Sequence, residues 1–94
     1  SEIVKKDFQL YQNFPNPFNP STAIKFYIPK SNNVRIRVYD LTGKQVDELL
    51  NSFLTEGTYS INWNASEINL NSGIYFIKID YDNNSKIIKA VYLK

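Results

Sequence analysis

Thr22-Ala23-Ile24-Lys25-Phe26-Tyr27-Ile28 places Thr22, Ile24, Phe26 and Ile28 on one face of an extended chain and Ala23, Lys25 and Tyr27 on the other. Successive side chains of a strand point to opposite faces, so this alternation predicts a half-buried β-strand. Working outward, residues 34 to 39 repeat it, with Val34, Ile36 and Val38 inward against Arg35, Arg37 and Tyr39. Tyr59, Ile61 and Trp63 alternate with Ser60, Asn62 and Asn64. Residues 73 to 81 and 86 to 93 are more densely apolar, which predicts central or doubly covered strands. Turn residues separate these segments: Asn32-Asn33, Thr42-Gly43 and Asp82-Asn83-Asn84-Ser85. Asn tolerates positive φ, so the last of these predicts a two-residue primed hairpin turn. A further strand near Phe8 to Gln12 brings the total to seven. Seven short strands at this spacing predict an antiparallel β-sandwich.

Two stretches depart from the pattern. Val46, Leu49, Leu50, Phe53 and Leu54 follow helical spacing, whereas Asn51-Ser52 favours caps and turns over a helix interior. Periodicity leaves that segment evenly balanced between a short helix and a strand. The run Phe14-Pro15-Asn16-Pro17-Phe18-Asn19-Pro20 holds three prolines in six residues. Each Pro fixes its own φ, removes a donor and disfavours the helical region for the residue before it. A stiff extended lead-in is expected, folding Phe14 and Phe18 over one end of the sandwich. Packing and recognition can coexist in such a loop.

Ninety-four residues make one domain, which buries about two thirds of its unfolded surface. Apolar residues are 43% of the chain and aromatic residues 15%, a composition suited to sheet surfaces. There is no Cys and no His, which removes the commonest nucleophiles, general bases and zinc ligands. The acids are scattered, so neither an enzyme nor a cofactor is expected. Asp80, Asp82 and Asn84 open like a calcium loop, but Ser85 stands in place of its Gly and Val91 in place of its Glu. A hairpin explains them better, and no metal is expected. The net charge of +2 is too small for a polyanion binder. A basic-aromatic face of Lys25, Arg35, Arg37, Tyr27 and Tyr39 is the weaker reading, and no nucleic-acid partner is expected. From Ser85 to Lys94 the chain carries Lys86, Lys89 and Lys94 and no acid, a pattern that also protects edge strands. No apolar run approaches a membrane span, and residues 1 to 7 lack the order of a signal peptide, so any export signal is expected upstream. The sequons at Asn64 and Asn83 are read as chance in an Asn-rich chain.

Taken in order, several motifs resemble those of the type IX (Por) secretion C-terminal sorting domains. Leu10-Tyr11-Gln12-Asn13-Phe14-Pro15-Asn16-Pro17-Phe18-Asn19-Pro20-Ser21-Thr22 is similar to the family's opening, followed by a strand from Ile24 ending at Pro29. Val38-Tyr39-Asp40-Leu41-Thr42-Gly43-Lys44-Gln45-Val46 resembles its central motif, and Gly57 to Ala65 its Gly-to-Trp strand. Ser72-Gly73-Ile74-Tyr75-Phe76 and Lys89-Ala90-Val91-Tyr92-Leu93-Lys94 are similar to its last two elements. Thr55 stands where the family often has Pro, and the connection from Glu67 to Asn71 is about two residues longer than its commonest form. Both departures fall in loops.

The resemblance implies a seven-stranded antiparallel immunoglobulin-like β-sandwich, with a strand from Gln45 to Leu50 in place of the helix. It implies a non-catalytic sorting signal that directs a larger cargo protein across the outer membrane, to the cell surface or the medium. Residues 1–7 then form a linker from the upstream cargo domain, and residues 8–94 the sorting domain. The partners implied are the outer-membrane secretion machinery and its sortase-like protease; a weak homodimer through the last strand is left open. Recognition is expected from Pro15, Asn16, Pro17, Phe18, Gly43, Gly57, Gly73, Lys86, Lys89, Leu93 and Lys94. For the three glycines, backbone geometry is the plainer role. Trp63 is expected in the core. The competing reading is a carbohydrate-binding accessory module of an extracellular enzyme, stacking sugars on Tyr27, Tyr39 and Trp63.

Overall fold

The computed structural model describes residues 7–94. Seven strands follow one another: β1 (Gln9–Leu10), β2 (Ser21–Ile28), β3 (Asn32–Asp40), β4 (Gln45–Leu54), β5 (Gly57–Asn64), β6 (Gly73–Tyr81) and β7 (Asn84–Tyr92). They form two sheets, ordered β1-β2-β5 and β4-β3-β6-β7, with antiparallel pairing throughout both. This is the expected immunoglobulin-like sandwich. The linker assigned to residues 1–7 lies, apart from exposed Asp7, outside the described residues.

The alternation in β2 and β3 explains why the sheets face each other as they do. Thr22, Ile24, Phe26 and Ile28 are buried on one inner face, and Val34, Ile36 and Val38 on the other. Tyr75, Ile77, Ile79 and Tyr81 of β6, with Ala90 and Tyr92 of β7, complete that second face. Trp63 is 2% exposed, edge-on to Tyr75 at 5.9 Å between ring centroids. Its indole N–H donates to the Asp47 carboxylate at 3.1 Å, so the aromatic body is buried while its polar tip is satisfied. Trp63 is a core residue.

β4 carries the helix-like spacing, and it is a strand. Its register against β3 slips twice: Ile36 pairs with Leu50 but Arg37 with Glu48, and Val38 pairs with Asp47 but Tyr39 with Gln45. Leu49 and Val46 are the extra residues of two β-bulges. A bulge inserts one residue into the two-residue alternation, so inward positions fall three apart locally. Val46, Leu49, Leu50 and Leu54 consequently all pack against the core, which mimics a helical stripe. Phe53, counted in that stripe, is 64% exposed.

The β6–β7 hairpin turns through Asp82-Asn83, with Tyr81 opposite Asn84. Positive φ falls on Asp82 (55°) and not on an Asn, the pattern of a II′ turn, in which only the first central residue is left-handed. The long connection after β5 contains a short 3-10 turn, Ala65–Ile68, which alternation could not anticipate. The Asn64 side chain caps it by accepting from the Ser66 N–H at 2.9 Å.

The strand ends gather at two poles. One holds residues 13–20, the β3–β4 turn, the 3-10 connection and the last two residues. The other holds the start of β1, the β2–β3 turn, the β4–β5 turn at Gly57 and the β6–β7 hairpin.

Candidate functional site

The proline-rich segment starts along one sheet and ends on the other. Tyr11 N–H donates to the Lys25 carbonyl, and Phe14 exchanges both backbone bonds with Ala23, which continues β1 along β2. Three side chains then turn the chain. Asn13, 2% exposed, donates to the Thr22 hydroxyl (2.9 Å) and the Pro15 carbonyl (3.3 Å), and accepts from Gln12 (2.6 Å). The Thr22 hydroxyl also donates to the Pro15 carbonyl at 2.8 Å. Because prolines have no N–H, the loop relies on such carbonyl and side-chain partners to be held in one shape.

Beyond the turn the segment clasps the outer edge of β7. Gln12 Nε2 donates to the Lys89 carbonyl (2.8 Å), and the Val91 N–H to the Asn16 side-chain oxygen (2.9 Å). Phe18 N–H donates to the Val91 carbonyl (2.9 Å), and Leu93 N–H to the Phe18 carbonyl (3.0 Å), a parallel bridge between Phe18 and Tyr92. The Phe18 ring is 2% exposed, stacked on Tyr92 at 5.2 Å and tilted against Trp63 at 5.3 Å. Phe18 closes the sandwich end as expected, whereas Phe14 is 79% exposed and closes nothing. Between Lys89 and Leu93 the edge of β7 is therefore occupied from within and does not await an added strand.

The β3–β4 turn is fixed by Asp40. Its Oδ1 accepts from the Thr42 hydroxyl (2.6 Å), the Thr42 N–H (2.9 Å) and the Lys44 N–H (3.1 Å). The Thr42 hydroxyl bond, followed by these amides, holds the Asp40 carboxyl below its ordinary value. Gly43 has φ of 89°, a left-handed conformation that a Cβ would strain, and its N–H donates to the Asp40 carbonyl at 3.0 Å. Next to this turn, Gly73 pairs with Tyr92, and Lys94 N–H donates to the Ser72 hydroxyl at 2.8 Å.

Of the residues expected to carry recognition, Pro15, Asn16, Pro17, Phe18, Gly43, Gly73, Leu93 and Lys94 lie at one pole. Lys89 stands on the adjoining stretch of β7. Gly57 and Lys86 lie at the opposite pole. Lys86 Nζ sits 5.7 Å above the Phe8 ring, and Gly57, with φ of 146°, pairs with Ile28 beside the β4–β5 turn. Asn13, Thr22, Asp40 and Ser72 were not singled out, yet they hold the pole together. The available signal was a short polar side chain beside a proline or glycine that leaves backbone groups to be satisfied.

The remaining side chains fall into separate groups. Arg37 donates to Asp80 at 2.6 Å, and Ser85 and Lys78 also reach that carboxylate. Burial raises the Asp80 pKa, but the bonds from Ser85 and Arg37 outweigh it and leave the group below its ordinary value. The Asp80 bond in turn raises the Arg37 pKa. Arg35 pairs with Glu48 at 2.7 Å. Lys25 and Tyr27 lie on the outer face of the three-stranded sheet, and Arg35, Arg37 and Tyr39 on that of the four-stranded sheet. The basic-aromatic set is thus split across the thickness of the sandwich, and buried Trp63 joins neither Tyr27 nor Tyr39 in a sugar platform. Among the described residues, no group of three or more acids gathers to hold a metal.

A family described as the secretion system C-terminal sorting domain matches residues 12–94 of the chain. No curated protein matches it.

Proposed function

The chain belongs to the type IX (Por) secretion system C-terminal sorting domain family, and from that membership we propose a non-catalytic sorting signal that carries a cargo joined ahead of Phe8 through the outer membrane to the surface or the medium. The observation that carries this reading is the ordered family match over residues 12–94, nearly the whole domain. A signal of this kind needs a stable platform and a distinctive exposed surface, and no reactive group. The pole built by Pro15 to Phe18, the Gly43 turn and the last two residues meets that need. The start of β1, where cargo joins, lies at the other pole, so a bulky cargo leaves the first pole unobstructed. On this reading Lys89 and Lys94 supply the charged handle for the secretion machinery, and a sortase-like protease acts on the segment before Phe8.

Truncating β7 is a poor test, because it removes Ala90 and Tyr92 from the core and unfolds the platform. A better one fuses residues 1–94 behind a periplasm-directed reporter, in a bacterium with and without type IX machinery. Delivery to the surface or medium only where the machinery is present, with a new cargo terminus mapping ahead of Phe8, is the expected result. A reporter that stays in the periplasm of both strains contradicts the proposal.

A further inference from the structure

On the outer face of the four-stranded sheet the charges toward the Gly57 pole are paired, Arg35 with Glu48 and Arg37 with Asp80, and exposed Phe53 and Ile87 stand among them. Toward the other pole apolar residues stand beside Lys89, which pairs across the strands with Phe76. Asp40 pairs with Tyr75, which brings Leu41 beside Ile74, and Ile74 pairs with Val91, two residues before Leu93. Leu41, Ile74 and Val91 thus form one row across adjacent strands, extended by Leu93 two residues beyond Val91, and Tyr39, Phe76 and Lys89 form the next. Leu41 is 67% exposed and Leu93 52%. Between the Leu41 turn and Ser72–Tyr75 lies an open hollow of about 260 Å³.

Both leucines are held in place from the backbone. Leu41 sits inside the Asp40 turn, flanked by the bonds to Thr42 and Lys44. Leu93 donates to the Phe18 carbonyl, and its neighbour Lys94 to Ser72. Apolar side chains fixed toward water lose little freedom on binding, which is how docking sites favour association. Lys89 adjoins the row, with Lys94 beyond it and Lys44 in the turn. The nearest carboxylate, Asp40, is already engaged by the Thr42 hydroxyl and two backbone N–H groups.

We propose that this row is a docking ledge for an apolar anchor residue on an acid-rich segment of the secretion machinery; the proposal rests on the sorting reading above. The ledge's apolar surface takes the anchor, and Lys44, Lys89 and Lys94 complement the flanking acids. A second copy of the chain fits less well, because two such ledges face to face bring like-charged lysines together.

The test uses the reporter fusion with Leu41→Glu and Leu93→Glu, singly and together. Phe53→Glu is the control, an equally exposed aromatic on β4 near the other pole. Thermal melts and circular dichroism confirm that each variant folds. The double variant is expected to slow export at least about tenfold while Phe53→Glu leaves it within about twofold, as for a central contact against a remote one. Wild-type export with equal export of the double variant overturns the ledge alone. Equal slowing by Phe53→Glu also overturns it, as does a wild-type dimer that the double variant converts to monomer. A wild-type fusion that never leaves the periplasm overturns the sorting reading itself.

Discussion

The two poles of the sandwich are built on different principles. At the Gly57 pole the connections are short: β6–β7 is a hairpin, the β2–β3 and β4–β5 turns cross between the sheets, and a few side chains such as Ser31 and two tyrosines bond the nearby backbone. Tyr81, for example, bonds both the N–H and the carbonyl of Lys30 through its hydroxyl. At the opposite pole the connections are longer, and side chains of Asn13, Asn16, Thr22, Asp40, Asn64 and Ser72 take up backbone groups that no ladder satisfies. A pole of short turns held by few side chains tolerates many sequences. A pole held by side chains demands particular residues, and this is where most of the quoted motif residues fall. Much of the motif thus reads as the means of fixing a surface, and Lys89, Leu93 and Lys94 are what that surface offers.

The comparison can be broken most severely at Phe18. Phe18→Ala removes the aromatic that joins the proline segment to Trp63 and Tyr92, and should cost about 3 to 5 kcal/mol in urea unfolding. Asn13→Ala comes next. It leaves the buried Thr22 oxygen without its donor and the Gln12 amide without one of its acceptors, and about 1 to 3 kcal/mol should be lost. In the same variant, amide exchange should rise at Val91 and Leu93, whose donors depend on the clasp, and stay unchanged at the Asp82-Asn83 hairpin.

Acid titration sharpens the contrast more gently. Asp80 and Asp40 both have carboxyl pKa values below the ordinary range. A lowered folded-state value means that their stabilisation is present above the ordinary carboxylate pKa and fades as pH falls through the lowered one. Asp80→Asn should therefore flatten the acid limb of a stability-against-pH curve. Asp40→Asn should flatten it less, because that carboxylate is held by the neutral donors of a turn whereas Asp80 is paired with Arg37. The smallest effect belongs to Lys86→Ala, a surface change expected to stay within about 0.5 kcal/mol in the same unfolding assay.

Legibility in the sequence followed physical regularity. β2 and β3 have one buried face and unbroken alternation, so Ile24, Phe26, Val34 and Ile36 announced their positions. The apolar density of β6 and β7, by contrast, fitted central β6 but not β7, an edge strand with an exposed outer face. β4 was ambiguous because its bulges at Val46 and Leu49 break the two-residue period, and only the family resemblance favoured a strand there. The clustering of Pro15, Gly43, Gly73 and Lys94 was not readable from spacing, since it depends on which strand ends meet. Nor could alternation reveal that the proline segment crosses to β7. Those bonds join residues more than seventy positions apart, such as Gln12 to Lys89 and Asn16 to Val91.

The central claim is that a single pole addresses the secretion machinery while the rest of the sandwich supports it. Export of one reporter should be compared for the wild-type domain, for Lys89→Glu with Lys94→Glu, and for Lys30→Glu with Lys86→Glu at the other end. Equal melting temperatures with export lost only in the first pair is the outcome expected. Loss in the second pair alone, or equal export of both, contradicts it.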